Sequence, residues 1–220
     1  GVSKLRILDL FCGAGGSAMG LHLAMPDAEI IGVDNRPQPR YPFTFVEADA
    51  LTYPLDGFDF IWASPPCQRY SVTRHLPGRD QAIAVQYGDL VAPTRERIRA
   101  SGAAWVIENV PAAPLLKPEV LCGTMFDLRV FRHRAFEGSF PICPPLHWSH
   151  RARRPAGTGR AGQYFGSQDG MVTVAGHLFN LANGRDAMGI DWMTRDELAE
   201  AIPPSYSRFI AEQWLAGVRA

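Results

Sequence analysis

Residues 5–16 constrain the fold most. The strand-like run Leu5-Arg6-Ile7-Leu8-Asp9-Leu10 passes into the small-residue turn Cys12-Gly13-Ala14-Gly15-Gly16, and a helical stretch from Ser17 to Ala24 follows until Pro26 breaks it. Small residues in such a turn let the backbone take positive φ or lie against a ligand. The alternation continues along the chain. Glu29 to Val33 reads as a second strand ending in Asp34, Phe43 to Val46 as a third, Phe58 to Ala63 as a fourth and Ala104 to Val110 as a fifth. A helix is expected within Ala82 to Ala100, with Pro93 starting it anew. Strands alternating with helices predict an α/β fold, a mainly parallel sheet with helices on both faces. Beyond it, Val120 to Phe140 reads as a terminal antiparallel hairpin, and Met171 to Phe179 as the strand-like part of an otherwise irregular stretch. Ile202-Pro203-Pro204 then opens a last helix, Ser205 to Gly217, because proline is tolerated in a first helical turn.

The composition bounds the class. A chain of 220 residues, 46% hydrophobic and 20% charged, suits one globular domain and is too apolar for wholesale disorder. No apolar run approaches the roughly 18 residues of a membrane span. No signal-peptide pattern is seen either, so a soluble, cytoplasmic protein without membrane partners is expected. Four cysteines, at 12, 67, 122 and 143, are too few for a disulfide scaffold. The net charge is zero, but residues 131–168 hold six arginines against the single acid Glu137. That basic stretch suits a nucleic-acid footprint and equally a solvated loop.

Three sites fall at the ends of expected strands, where α/β sheets bind ligands. The glycine turn, with Asp34 about 20 residues on, suits a nucleoside cofactor whose ribose a carboxylate holds. A dinucleotide or a purely structural turn fits the same pattern. Ser64-Pro65-Pro66-Cys67-Gln68 puts a thiol on a stiffened strand-end loop, an unusual place for a core-filling cysteine. Val106-Ile107-Glu108-Asn109-Val110 carries an acid to the same edge, either facing Cys67 or capping its own loop. A thiol and a carboxyl facing one cleft can attack and protonate an electrophilic ring.

Taken in order, Asp9 to Gly16, Pro66-Cys67-Gln68 and Glu108-Asn109-Val110 resemble the cytosine-5 methyltransferases acting on DNA. Arg132-His133-Arg134 resembles that family's arginine pair, and Ala201-Ile202-Pro203-Pro204 its C-terminal cofactor motif. The resemblance implies a Rossmann-like S-adenosylmethionine-dependent methyltransferase sheet carrying a small irregular target-recognition insertion. It implies Cys67 as the nucleophile adding to cytosine C6, Glu108 as the acid at N3 and the exocyclic amine, and Arg134 with Arg132 at the flipped base or backbone. For S-adenosyl-L-methionine it implies Phe11 beside the adenine, Asp34 on the ribose and Asp49 at the adenine amine. Cys12, Gly13, Ala14, Gly16, Asn35, Ala50, Pro66, Glu200 and Ala201 complete the expected cofactor wall. Gln68, Arg69 and Ser71 would belong to a loop closing over double-stranded DNA, and Arg151, Arg153, Arg154 and Arg160 would meet phosphates or a guanine edge.

The departures from the family pattern matter as well. Val130 stands where the family has glutamine, and Glu200 where Gly-Asn-Ala-Val-Pro-Pro has asparagine. Thr194-Arg195-Asp196-Glu197 resembles the penultimate motif but runs almost straight into the last one. The expected layout is a catalytic and cofactor-binding core over 1–140, a small recognition region over 141–187, and a segment returning to the core over 188–220. So short a reader resembles those of phages or mobile elements and implies a short or relaxed target. A monomer is expected, and the resemblance allows a cognate restriction endonuclease as partner. Cys122, Cys143, His147 and His150 match no common zinc spacing, so no metal is expected. The alternatives are an RNA-acting branch of the family, a catalytically silent cofactor-binding DNA adaptor, and a dinucleotide oxidoreductase.

Overall fold

A computed structural model describes residues 4–66, 89–147, 170–176 and 179–219, together with the backbone of 157–158 and 164–165. Nine strands and five helices are seen among them. Strands β1 (Arg6–Leu10), β2 (Glu29–Asp34), β3 (Thr44–Glu47), β4 (Phe60–Ala63), β5 (Ala104–Asn109), β6 (Glu119–Leu121) and β7 (Arg134–Gly138) form one sheet in the order β3-β2-β1-β4-β5-β7-β6. The first five are parallel, and β7 is antiparallel to both β5 and β6. Helices α1 (Gly16–Ala24), α2 (Val91–Ala100), α3 (Leu181–Met188), α4 (Arg195–Glu200) and α5 (Pro204–Arg219) surround it. A short pair, β8 (Gly157–Thr158) and β9 (Tyr164–Phe165), stands apart as a two-stranded ribbon. Among the described residues no helix is long and apolar enough to cross a membrane.

The period-2 alternation of each strand explains why the sheet is buried on both faces. Ile7, Phe60, Trp62, Val106 and Phe136 point to one side, where α1 and α5 cover them with Leu21, Tyr206 and Ile210. Leu8, Leu10, Ile61, Ala63 and Ile107 point to the other, under Ile98 of α2. The sheet core therefore needs residues from both ends of the chain. Pro204 occupies the first position of α5, where its missing N–H costs nothing.

Two expectations change. Met171 to Phe179 forms no strand among its described residues. Val172 makes a single parallel bridge to Val130, and Gly176 turns the chain with φ 52°. Val172, Val174 and Phe179 instead pack with Ala187, Met188, Met193 and Leu198 in a third apolar cluster. The expected boundary at 187/188 falls inside α3 and inside that cluster, so residues on its two sides share one small core. Val130, the residue standing in for glutamine, is buried in the same cluster, which accounts for its apolar character.

Candidate active site

The carboxyl ends of β1, β2, β4 and β5 open into one cavity of about 650 Å³, a volume ordinary for small-molecule sites. One end is the glycine turn. Phe11 leaves β1 with φ 57°, a left-handed conformation that is rare for an aromatic residue and typical of functional turns. Gly13 follows with φ 47°, and no atom lies within 4 Å of where its Cβ would stand. The backbone there borders open cavity. Gly15 caps α1, so the helix begins at the cavity wall with its unpaired N–H groups turned that way. Trp192 Nε1 donates to Ala14 O at 2.8 Å and fixes the turn from behind.

Asp34 closes β2 and lines the same cavity. Its carboxylate accepts from Gly13 N and Arg36 N, both at 3.1 Å, which sets its orientation. Asp49 turns the loop after β3 by accepting from Leu51 N at 2.9 Å. Arg97 of α2 anchors that loop through Ala50 O and Tyr53 O. Across the cavity stand Asp196, Glu197, Glu200 and Ala201 from α4 and its end. Thr194 and Glu197 form a capping box that starts α4, and Arg40 pairs with Glu197 at 3.2 Å. Hydrogen bonds from Thr194 and the charge of Arg40 hold the Glu197 carboxyl below its usual range against the opposing effect of burial. With Asp34, Asp49, Asp196, Glu197 and Glu200 against Arg36 at this end, the cavity favours a small cationic ligand bearing donor groups. A nucleoside cofactor with a positive centre fits that donor set. Cys12 lines the wall as a thiol, since burial and the neighbouring Asp9 push it far up.

The other end of the cavity holds Ser64, Pro65, Pro66, Glu108 and Arg134. Because β7 runs antiparallel to β5, its first residue lies at the carboxyl end of β5. Glu108 faces Phe136 in register, and Arg134, two residues earlier on that side, reaches back to it. Arg134 Nε lies 3.2 Å from Glu108 Oε1. Burial raises the Glu108 carboxyl above its ordinary value, while Arg134, Arg132 and the Ser64 hydroxyl pull it down. Trp62 Nε1 donates to Ser64 Oγ at 3.0 Å, which leaves the Ser64 hydroxyl proton for Glu108. Asn109 Nδ2 donates to Pro65 O at 2.9 Å and pins the stretch leading to Cys67.

The structure thus brings together Phe11 through Gly16, Asp34, Asn35, Asp49, Ala50, Pro66, Glu108, Arg134, Glu200 and Ala201. Arg132 is different. It is buried outside the cavity lining and donates to Val174 O at 2.8 Å and Ala199 O at 2.7 Å. Those bonds tie β7 to the third cluster and to α4, so Arg132 touches Glu108 only through its charge. In this arrangement Arg132 acts as a structural tie, and the bonds to Val174 O and Ala199 O set its orientation. Cys67, Gln68, Arg69, Ser71, Arg151, Arg153, Arg154 and Arg160 lie outside the described residues. Sequence reasoning assigned no role to Ser64, Trp62 or Trp192. Ser64 lies in the Ser64–Gln68 motif and Trp62 in an expected strand, whereas nothing in the sequence singles out Trp192.

Among solved structures, EhMeth, a methyltransferase of Entamoeba histolytica, matches 99% of this chain and 100% of its own, with a TM-score of 0.63 and 11% identity. That likeness is one of fold. Partial and weaker matches include the plantazolicin methyltransferase BpumL in complex with SAH, at 14% identity and a TM-score of 0.32 over 49% of this chain and 40% of that one. Another is the 16S rRNA methyltransferase KamB, at 12% identity and 0.37 over 63% and 89%. No curated protein sequence matches the chain. The model of the C-5 cytosine-specific DNA methylases matches residues 5–118, more than half of the chain. The chain belongs to the C-5 cytosine-specific DNA methylase family.

Proposed function

We propose that this methyltransferase modifies C5 of cytosine in double-stranded DNA through a covalent adduct of Cys67 with a flipped base. The observation that carries the reading is the Glu108–Arg134 pair, buried at one end of a cavity whose other end suits a cationic nucleoside. Family membership makes S-adenosyl-L-methionine the cofactor, and the Gly13 opening, Asp34, Asp49 and the acids of α4 would hold it. When bound, it supplies an electrophilic methyl group on a sulfonium. Cytosine C5 is a poor nucleophile until a thiolate adds at C6, and Cys67 supplies that thiolate. Glu108, whose carboxyl burial pushes above its ordinary value, gives its proton to N3 as the C6–S bond forms. The ring's electron pair then sits at C5, ready for methylation. Loss of the C5 proton to solvent and of the Cys67 thiolate restores the aromatic ring, and N3 returns its proton to Glu108. Arg134 holds Glu108 in place and stabilises the ionised carboxylate left behind. A stacked base is out of reach for such addition, so the cytosine leaves the duplex. The arginines at 151, 153, 154 and 160 would hold phosphates of that duplex.

The test is methyl transfer from radiolabelled S-adenosylmethionine to duplex DNA and, in parallel, to tRNA, followed by nucleoside analysis. Label in 5-methyldeoxycytidine is expected. Label in tRNA alone would give the chain to the RNA-acting branch, and no label with cofactor still bound would make it a silent adaptor.

Two further outcomes are expected at this site. Because the Glu108 proton is needed and its pKa is raised, the step it supports weakens as pH rises through that raised value. Glu108→Gln, which cannot titrate, should lose this alkaline limb and run slower by about 10²-fold, the usual worth of a positioned acid. Single-turnover rates across pH would check it, and an unchanged rate would remove Glu108 from the chemistry. Glu200→Asn should weaken S-adenosylmethionine binding by about 5-fold, because an exchanged carboxylate removes one partner for the cofactor's ammonium group. Calorimetric titration reads it, and an equal affinity takes Glu200 out of the cofactor wall.

A further inference from the structure

Cys122 and His133 sit where the β6–β7 hairpin opens. Glu119 pairs with Phe136, Val120 with Ala135 and Leu121 with Arg134, so the next pair outward is Cys122 with His133. Facing positions on antiparallel strands bring side chains within reach of one another. Cys122 is fully buried, and its sulfur accepts from the Thr124 hydroxyl at 3.4 Å and from the Met125 backbone N–H in the 3₁₀ turn Gly123–Phe126. His147 arrives from the irregular stretch after β7 and sets its ring edge-on to that of His133, with centroids 5.2 Å apart and planes at 78°. One ligand atom from each of Cys122, His133 and His147 lies within 4.8 Å of the other two.

We propose that Cys122, His133 and His147 hold a zinc ion that staples the 141–147 stretch to the open end of the hairpin. A thiolate with two imidazoles is a borderline-soft set that selects zinc over magnesium or calcium. Bonds of about 2.3 Å to sulfur and about 2.0 Å to nitrogen put neighbouring donors roughly 3.5 Å apart, so shifts of about 1 Å close the site. Water takes the fourth tetrahedral position. The stretch needs such a staple. It carries Pro141, Pro144 and Pro145, has no regular structure, and is otherwise anchored by buried Ile142 and by Cys143 N donating to Gln213 Oε1 at 2.8 Å. The site also reaches the catalytic end of the cavity, because His133 O accepts from Arg134 Nη1 at 2.9 Å. A metal on His133 would therefore fix the backbone that presents Arg134 to Glu108. Sequence spacing points away from zinc because His133 reads as part of the arginine motif, while Cys143 lies outside the cluster and His150 outside the described residues.

The experiment is elemental analysis of the full chain purified from zinc-supplemented cells without chelators, with cobalt substitution and circular dichroism alongside. About one zinc per chain is expected, replaced by cobalt with a thiolate-to-metal charge-transfer band. His147→Ala, at an exposed position, and Cys122→Ser should each weaken zinc binding by at least about 10-fold, whereas Cys143→Ser should keep the metal. Zinc below about 0.1 per chain with no cobalt band would overturn the proposal. So would zinc that survives both His147→Ala and Cys122→Ser. Metal content is read independently of methyl transfer, so the catalytic reading and this one fail separately.

Discussion

Cys67→Ala should abolish methyl transfer while S-adenosylmethionine affinity stays within about 2-fold, because in the proposed mechanism the thiol forms the one covalent bond that activates C5 and takes no part in holding the cofactor. The loss should exceed about 10⁴-fold, since removing a nucleophile leaves only binding and the electrostatic help of neighbouring groups. One thiol among the described residues lines the cavity and provides an internal control. Cys12 lines the wall, but burial beside Asp9 keeps it protonated, so it cannot take over as nucleophile. Cys12→Ser should therefore cost far less activity than Cys67→Ala. A mechanism-based cytosine analogue in duplex DNA should trap the parent protein and leave Cys67→Ala free on a denaturing gel. Trapping that persists in the variant would reassign the nucleophile.

Gly20→Ala should destabilise the protein by about 3 kcal/mol or more, a large effect for one methyl group. Gly20 lies on α1 where it meets α5, and a Cβ there would stand 2.0 Å from Pro204 O, 2.1 Å from Ser207 Oγ and 2.8 Å from Arg208 N. Two of those atoms are backbone, so no rotamer change relieves the clash. Ser207 Oγ donates to Ser17 O at 2.8 Å across the same contact, and that bond would lengthen as the helices part. The displacement would reach the site as well, because Ile202 O lies 2.5 Å from a Cβ placed on Gly16 and Ile202 lines the cavity. Thermal unfolding should show the midpoint fall by about 6–12 °C. A fall below about 2 °C would mean that the two helices separate without cost.

Residue by residue, legibility in the sequence followed the range of the interaction involved. The five parallel strands were readable because each is an apolar run ending in a turn, and a parallel sheet places all such ends at one edge. That alone put Gly13, Asp34, Pro66 and Glu108 in one cleft, and the resemblance added Asp49. The hairpin was readable for the same local reason. The helices α3 and α4 were not anticipated, being short and lacking a sustained apolar period. Their caps were nonetheless written in the chain, with Asn180 accepting from Asn183 N and Thr194 exchanging hydrogen bonds with Glu197. Met171 to Phe179 misled because apolar residues that fill a cluster alternate there as they would on a strand.

The sequence by itself determined the sheet, its functional edge and the family, since these depend on contiguous motifs and on the handedness of strand–helix–strand units. Only the tertiary structure decided between Arg132 and Arg134. The two arginines are separated by one residue and chemically identical, yet one spends its guanidinium on Val174 O and Ala199 O while the other reaches Glu108. It also decided the meeting of Cys122, His133 and His147. The hairpin register sets the first pair and the path of the chain beyond β7 brings in the third. Distances of that kind arise from packing between segments remote in the chain, which no local pattern records.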